Sequence, residues 1–400
     1  MPRFRADWIL PVAAPPLRRG WIAIDDGRIG AVGDDGSEAV DLGSVAILPG
    51  LVNAHTHLEL SHLRGRIPRA RALSDWVRAL LRARRESTAG SASEIEAGVR
   101  QAIAEMRATG TVLVGDVANT LVTVPALCEA GMSARVFFEL IGFRPADPAA
   151  QVREARQRLA AVQPAHARVR LGLAAHAPYS VSPELFREIR ADLDRAVDPV
   201  SSVHVAESPE EVEFLAKGTG AWKALLDELD AWNPGWEAPG VSPVEYLDGL
   251  GFLDARVMAV HGVQCTGEDL RRLQSLGVTM VSCPRSNEYV GVGAPPLEAF
   301  YAMDVEVAFG TDSLASVASL NLFEELAEAR RLAPRVPASS LLRSATLAGA
   351  RALGFGDDYG TLEPGRRADV IAVRVPEGVT DVEEYLVAGV GPADISWLGT

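Results

Sequence analysis

The sequence predicts an α/β fold: a (β/α)8 TIM-like barrel with a small β-sandwich domain formed by both termini. Three observations carry that expectation. Eight short apolar or β-branched runs bounded by turn residues recur along the chain, segments of helical period lie between them, and both ends alternate with a period of two. The boundaries follow from where the pattern changes: residues 1–49 and 360–400 for the sandwich and residues 50–359 for the barrel.

In chain order the first signal is WIAIDDGRIGAVG (21–33), two alternating strands around Asp26 and Gly27, a pair that tight hairpin turns prefer. The barrel runs follow. ILPGLVNAHTH (47–57), TVLVGDVAN (111–119), ARVFFELIGF (134–143) and VRLGLAAHAP (169–178) supply the first four strands. VSSVHVAES (200–208), RVMAVHGVQ (256–264), VTMVSCPRSN (278–287) and VEVAFGTDS (305–313) supply the rest. In SASEIEAGVRQAIAEMRATG (91–110), Ser93 and Glu96 form a capping box, Ile95, Val99, Ala102 and Met106 share one face, and Gly110 suits the end. ARALSDWVRALLRARRES (70–87) is Arg-rich on a helical period. It reads as a solvated helix whose Leu73, Trp76, Val77, Leu80 and Leu81 pack inward, in preference to a binding site. At the far end GTLEPGRRADVIAV (360–373) reads as turn then strand, and no helix of useful length is expected in either terminal part.

Composition narrows the class. At 400 residues the chain exceeds the length at which one core usually stops growing, and 48% hydrophobic with 23% charged residues describes a soluble globular protein. The formal net charge of -14, from 39 basic and 53 acidic residues, repels phosphate backbones and anionic lipid. Nucleic acid and membrane are therefore not expected partners; a small molecule is, and a homodimer is compatible with the chain. Cys128, Cys265 and Cys283 are too few and too scattered for a disulfide framework or a thiolate zinc site. The N-terminal stretch lacks an apolar core of signal-peptide length and no apolar run reaches 18 residues, so a cytoplasmic enzyme is the expectation.

Five histidines fall at or near the ends of the expected strands: His55, His57, His176, His204 and His261. Asp312 closes the eighth. Barrels of this type gather reactive groups at those ends, and residues two apart on a strand share a face, so His55 and His57 both point into the mouth. Imidazoles and a carboxylate suit zinc or ferrous iron, and an incomplete shell leaves room for a water that the metal acidifies. Taken singly, an H-x-H pair is more often incidental, a strand-end histidine more often structural, and Asp312 as able to cap its own turn as to bind. Their joint placement at one mouth is the signal. His62 and His166 lack that placement and read as background.

LPGLVNAHTHLELS, AAHAPYSVS, HVAES, AVHGV, SCPRSN, GTDSLAS and the terminal GTLEPGRRADVIAV together resemble the amidohydrolase superfamily. The likeness is to its mononuclear aminohydrolase branch, which includes cytosine, guanine and S-adenosylhomocysteine deaminases, and it spans nearly the whole chain. It implies that His55, His57, His204 and Asp312 bind one divalent metal, zinc before iron. It also implies that Glu207, three residues past His204, is the proton shuttle, that His261 orients the attacking nucleophile and that His176 contacts substrate. Binuclear relatives bridge two metals with a lysine at the end of the fourth strand. Here the only lysines, Lys217 and Lys223, come after the fifth, so that arrangement is not available.

The implied reaction removes an amino group from a ring carbon: Asp312 takes a proton from the activated water, Glu207 protonates a ring nitrogen, and the amine leaves as ammonia. Glu210 and Glu211, next to Glu207, are expected on the surface where SPEEVEFL begins a helix. HTHLELS, with Glu59 and Ser61 directly after the ligands, and CPRSNEYVGVG look most like the aminodeoxyfutalosine deaminases of the alternative menaquinone route. Those enzymes act on an adenine carried by a ribosyl benzoate. Adenosine, methylthioadenosine or S-adenosylhomocysteine comes next as substrate, then a chloro- or amino-triazine. A ring-opening cyclic amide hydrolase resembling imidazolonepropionase and a catalytically silent scaffold are the alternatives from other classes. About 35 residues separate Leu58 from Ser93, far more than a usual loop, so this segment is expected to build part of the substrate pocket. Within it Glu59 would accept ribose hydroxyls, or else orient a ligand histidine, and Arg64 would pair with a carboxylate on the substrate's tail.

Overall fold

The computed structural model describes residues 1–36, 38–87, 92–162 and 164–398. Each barrel strand lies inside its predicted run, β3 alone starting one residue before it: β1 (Leu51–Thr56), β2 (Thr111–Ala118), β3 (Ser133–Leu140) and β4 (Val169–Ala175). They are followed by β5 (Ser201–Val205), β6 (Val257–His261), β7 (Thr279–Ser282) and β8 (Val307–Phe309). β2 and β3 are buried along their whole length, which is why parallel strands covered on both faces read as unbroken apolar runs.

The first four strands pair in parallel in the order β4-β3-β2-β1, and the others in the order β5-β6-β7-β8. Two seams join these halves. At one, the His204 amide donates to the His176 carbonyl at 2.9 Å; at the other, the Asp312 amide donates to the His55 carbonyl at 3.0 Å beside a parallel bridge from Thr56 to Asp312. Both seams thus run through candidate site residues. Gly310 permits the second approach, since a Cβ at that position would stand 2.8 Å from the His55 Cβ.

Between strands, helices cover the barrel with their apolar faces. The helix Pro183–Arg195 buries Leu185, Phe186, Ile189 and Leu193, and it opens with Ser182 accepting from the Leu185 amide and proline at the first helical position. Two helices, α1 (Leu73–Ser87) and α2 (Ala92–Ala108), lie between β1 and β2. In α2 Val99, Ala102 and Met106 are buried as expected. The helix starts at Ala92, however, so Ser93 stands inside its first turn and does not cap it.

At the terminal end of the molecule, Trp21–Asp25 and Arg28–Gly33 form the predicted hairpin, with Asp26 at φ 45° and Gly27 at φ 70° as a type I′ turn requires. Val370–Arg374 runs antiparallel to Val45–Pro49 in a five-stranded sheet, and the hairpin with Arg3–Arg5 and Val40–Asp41 makes a four-stranded sheet. Ile9, Ile22, Ile29, Ile47, Leu362 and Val370 share one apolar cluster. Two details differ from expectation. The run 47–57 holds two strands, because the chain leaves the terminal sheet at Pro49 and enters the barrel at Leu51. The C-terminal part also carries a short helix, Val382–Val387, capped by the Asp381 side chain.

Candidate active site

His55 near the end of β1 and His57 just past it meet His204 from β5, and a ligand nitrogen of each lies within 4.8 Å of the others. His55 Nε2 stands 3.3 Å from His204 Nε2, and His57 Nε2 stands 3.7 Å from Asp312 Oδ1. Two nitrogens held about 2.05 Å from a tetrahedral zinc ion would stand about 3.3 Å apart, so the donor set fits such an ion. The proton positions agree. A carbonyl can only accept, so His204 Nδ1 donates to the His176 carbonyl at 2.9 Å and Nε2 keeps its lone pair on the His55 side. Burial lowers the pKa of His55 and His204 and brings His57 down to about 4, which leaves these rings neutral and able to bind metal near pH 7. The Ser286 hydroxyl donates to Asp312 Oδ2 at 2.6 Å, while Oδ1 faces His57.

The strand ends that carry these groups are strained. Ala206, His261 and Asp312 have φ values of 51°, 77° and 59°, a region that side-chain-bearing residues keep only when their surroundings hold them there. At Ala206 the restraint is visible: the amides of Ala206 and Glu207 donate to the Glu211 carboxylate at 3.0 and 2.8 Å, and the Gln264 amide donates to the Ala206 carbonyl at 2.7 Å. Glu207 precedes the N-cap Ser208 and is buried, with Oε1 3.5 Å from His261 Nε2. Asn287 Nδ2 donates to His261 Nδ1 at 2.9 Å, so the His261 hydrogen lies on Nε2, toward Glu207. Burial, reinforced by the charges of Asp312, Glu211 and Glu210, pushes the Glu207 carboxyl well above the usual range. Glu207 therefore holds its proton at pH values where a free carboxylate has lost it.

A cavity of about 410 Å³ opens over this floor, within the roughly 300–1,000 Å³ common for small-molecule sites. Leu73, Trp76, Val77, Leu80, Leu81 and Arg84 of α1 form one wall. Trp222, Leu225 and Leu226 of the helix Ala221–Glu228, with Leu229 just past it, form another. The α1 stripe packs inward as expected, Leu73 and Trp76 in the core and Val77, Leu80 and Leu81 against it, but the same face also lines the cavity, which corrects the reading of this helix as no part of a binding site: an apolar helix face has the same sequence period whether it meets core or pocket. α1 is held by Ser74 Oγ donating to Glu210 at 3.1 Å and by Arg78 donating twice to Glu228, at 2.9 and 3.0 Å. The expectation that Glu210 and Glu211 lie on the surface fails for Glu211, which is fully buried under the turn at Ala206; Glu210 stays half-exposed and accepts from Ser74 of α1.

After His57 the extended chain ends, because the Leu58 amide donates to Asp116 Oδ1 at 2.8 Å and Leu58–Leu63 form a 3-10 helix. Glu59 lines the cavity nonetheless. Its carboxylate accepts from Thr120 Oγ1 at 2.6 Å and from the Asn119 amide at 3.1 Å, with Arg84 3.5 Å away. His176 lines the cavity too, bonded to Ser180, and burial lowers its pKa to about 4. Ser61 is buried outside the cavity lining, and Arg64 pairs with Glu105 of α2, also away from it. His62 and His166 stay outside as well. Residues not anticipated are Arg84, Glu139, Glu211, Ser286 and Asn287. Glu139 is the last residue but one of β3, with Oε1 3.6 Å from His204 Nδ1, so the strand-end rule applied to ARVFFELIGF would have found it. Ser286 and Asn287 stand in SCPRSN, just past β7.

Residues 46–389 match the amidohydrolase family. A 5-methylthioadenosine/S-adenosylhomocysteine deaminase of Moorella thermoacetica is 32% identical over 97% of this chain and 90% of its own length. An aminodeoxyfutalosine deaminase of Deinococcus radiodurans is 33% identical over 79% of this chain and 75% of its own. Among solved structures, a zinc-bound adenosine deaminase from Xanthomonas campestris superposes with a TM-score of 0.83 at 28% identity, covering 98% of this chain and 90% of that one.

Proposed function

Because the chain belongs to the amidohydrolase family, we propose that it is a metal-dependent hydrolase that removes the 6-amino group of an adenine nucleoside. We propose aminodeoxyfutalosine as the substrate, which gives the enzyme a step in menaquinone biosynthesis. The proposed cofactor is one zinc ion held by His55, His57, His204 and Asp312. The observation that carries the reading is Glu207, buried with Oε1 3.5 Å from His261 Nε2, on the same cavity floor as the histidine cluster.

A divalent ion bound there lowers the pKa of water and supplies a nucleophile near neutral pH. Asp312, steadied at Oδ2 by Ser286, takes up a proton at Oδ1. Glu207 gives its proton to the ring nitrogen beside the attacked carbon as negative charge grows there. A second proton passes through Glu207 or Asp312 to the amine, which departs as ammonia. His261 presents Nε2–H to the oxygen newly joined to the ring, and Asn287 fixes that tautomer. Glu59 is oriented by Thr120 and Asn119 to accept hydrogen bonds from ribose hydroxyls, and His176, held by Ser180, contacts the base.

The preference for aminodeoxyfutalosine over methylthioadenosine or S-adenosylhomocysteine rests on the segments HTHLELS and CPRSNEYVGVG and on an apolar cavity wall that ends in Arg84. The deciding experiment measures ammonia released by zinc-loaded protein from aminodeoxyfutalosine, methylthioadenosine, S-adenosylhomocysteine, adenosine and an aminotriazine. Ring opening of a cyclic amide yields no ammonia, so ammonia from a 6-aminopurine nucleoside separates the two chemistries. Silence toward every 6-aminopurine nucleoside would overturn the reading.

A further inference from the structure

The cavity changes character with distance from the histidines. Every carboxylate that lines it, Glu59, Glu139, Glu207 and Asp312, belongs to the floor built from the strand ends and the turns just past them. Each already has work there: Glu59 binds Thr120, Asn119 and Arg84, Glu139 binds Asn119 beside His204, and the other two face the reacting centre. The outer walls are apolar side chains of α1 and of the helix Ala221–Glu228. Trp222 is fixed as a flat surface by Tyr179, whose ring stacks on it with centroids 3.8 Å apart and planes at 8°. None of the acids on or beside these walls lines the cavity: Asp75 and Glu228 pair with Arg78, Asp227 with Lys223, Asp230 with Arg144, and Glu210 accepts from Ser74 at the back of α1. Among the described residues the single guanidinium at the cavity is Arg84. It donates to Asn119 Oδ1 at 3.3 Å and stands 3.5 Å from Glu59, which leaves part of its five-donor fork for an incoming anion.

This distribution sorts substituents by charge. An ammonium group carried between α1 and the Trp222 helix would lose its water and meet no unengaged carboxylate, a penalty that a buried unpaired charge does not recover. A thioether or an aromatic ring suffers no such loss, and one carboxylate has Arg84. We propose that this outer chamber reads the 5′ substituent of the nucleoside, accepting apolar or aromatic groups with at most one carboxylate and rejecting a zwitterionic amino-acid tail. The proposal rests on the adenine-nucleoside reading and narrows it, because it sets S-adenosylhomocysteine apart from the other two candidate substrates.

Binding tests the chamber without turnover. Dissociation constants for adenosine, methylthioadenosine, aminodeoxyfutalosine and S-adenosylhomocysteine would be measured by calorimetry on metal-loaded Glu207→Gln protein. Methylthioadenosine and aminodeoxyfutalosine should each bind about tenfold or more tightly than S-adenosylhomocysteine. Adding Leu80→Glu, which sets a carboxylate in the wall, should close that gap, and Arg84→Ala should weaken aminodeoxyfutalosine more than methylthioadenosine. Val77→Glu replaces Leu80→Glu if a thermal melt shows the latter unfolded. Equal affinity for S-adenosylhomocysteine and methylthioadenosine in the parent overturns the proposal, as does an unchanged ratio in the folded glutamate variant. If adenosine binds and only the tails rank otherwise, the chamber assignment falls alone. If no nucleoside binds, it falls together with the deaminase reading.

Discussion

The Glu211 carboxylate accepts the backbone N–H of Glu207 at 2.8 Å and that of Ala206 at 3.0 Å, so a buried acid four residues downstream holds the turn that presents Glu207, the proposed proton carrier. Its charge also adds to the burial that raises the Glu207 pKa, and burial brings Glu211 itself up to about 7. Glu211→Gln removes the charge and one acceptor. Turnover should fall about tenfold. The alkaline limb of kcat/KM should also move to lower pH, because Glu207, less raised, gives up its proton earlier. In a Glu207→Gln background the same change should add little, since both act through one group. Fully additive losses would place the Glu211 effect elsewhere.

Glu207→Gln itself keeps the shape of the side chain and removes its transferable proton. The variant should retain its metal by elemental analysis while losing on the order of 10²-fold or more in turnover. A loss of only a few-fold would mean that another group carries the proton.

One ion per chain is the expected stoichiometry. A second cluster, Glu139, His176 and His204, shares His204 with the first, but its Nδ1 already donates to the His176 carbonyl and has no lone pair to offer there. Mass spectrometry under native conditions should show a single tightly held zinc or iron, removed by chelator together with activity and restored with it. Two ions at full activity would contradict the single site.

The sequence made the barrel and its histidine corner legible because both are written locally. An apolar run marks a buried strand, and a histidine at its end is aimed by the strand period alone, as with His55 and His57. What stayed hidden depends on contacts between distant segments. Nothing near Arg84 indicates that α1 crosses the mouth, because its stripe of Leu73, Trp76, Val77, Leu80 and Leu81 has the same period as a core-facing helix. Glu211 sits in an acidic cluster that reads as solvated, and only the left-handed turn at Ala206 brings two amides onto it. Arg64 was the nearer arginine in sequence to the ligands, yet the 3-10 helix Leu58–Leu63 carries it round to Glu105.

That last difference redirects the expected roles of the first loop. The Glu59 side chain bonds to Thr120, to the Asn119 amide and toward Arg84, and it makes no bond to a ligand histidine among the described residues. Its loss should therefore be felt by substrate before metal. Glu59→Gln turns one accepting oxygen into a donor, so KM for a nucleoside should rise about tenfold while metal content and kcat change little. Weakened metal retention would instead assign Glu59 to supporting the ligand shell, through Asn119 and Glu139 to His204. Arg64→Ala completes the comparison. Because Arg64 pairs with Glu105 outside the cavity, the variant should treat carboxylated and neutral nucleosides alike, and a selective loss for the carboxylated one would return Arg64 to the substrate's path.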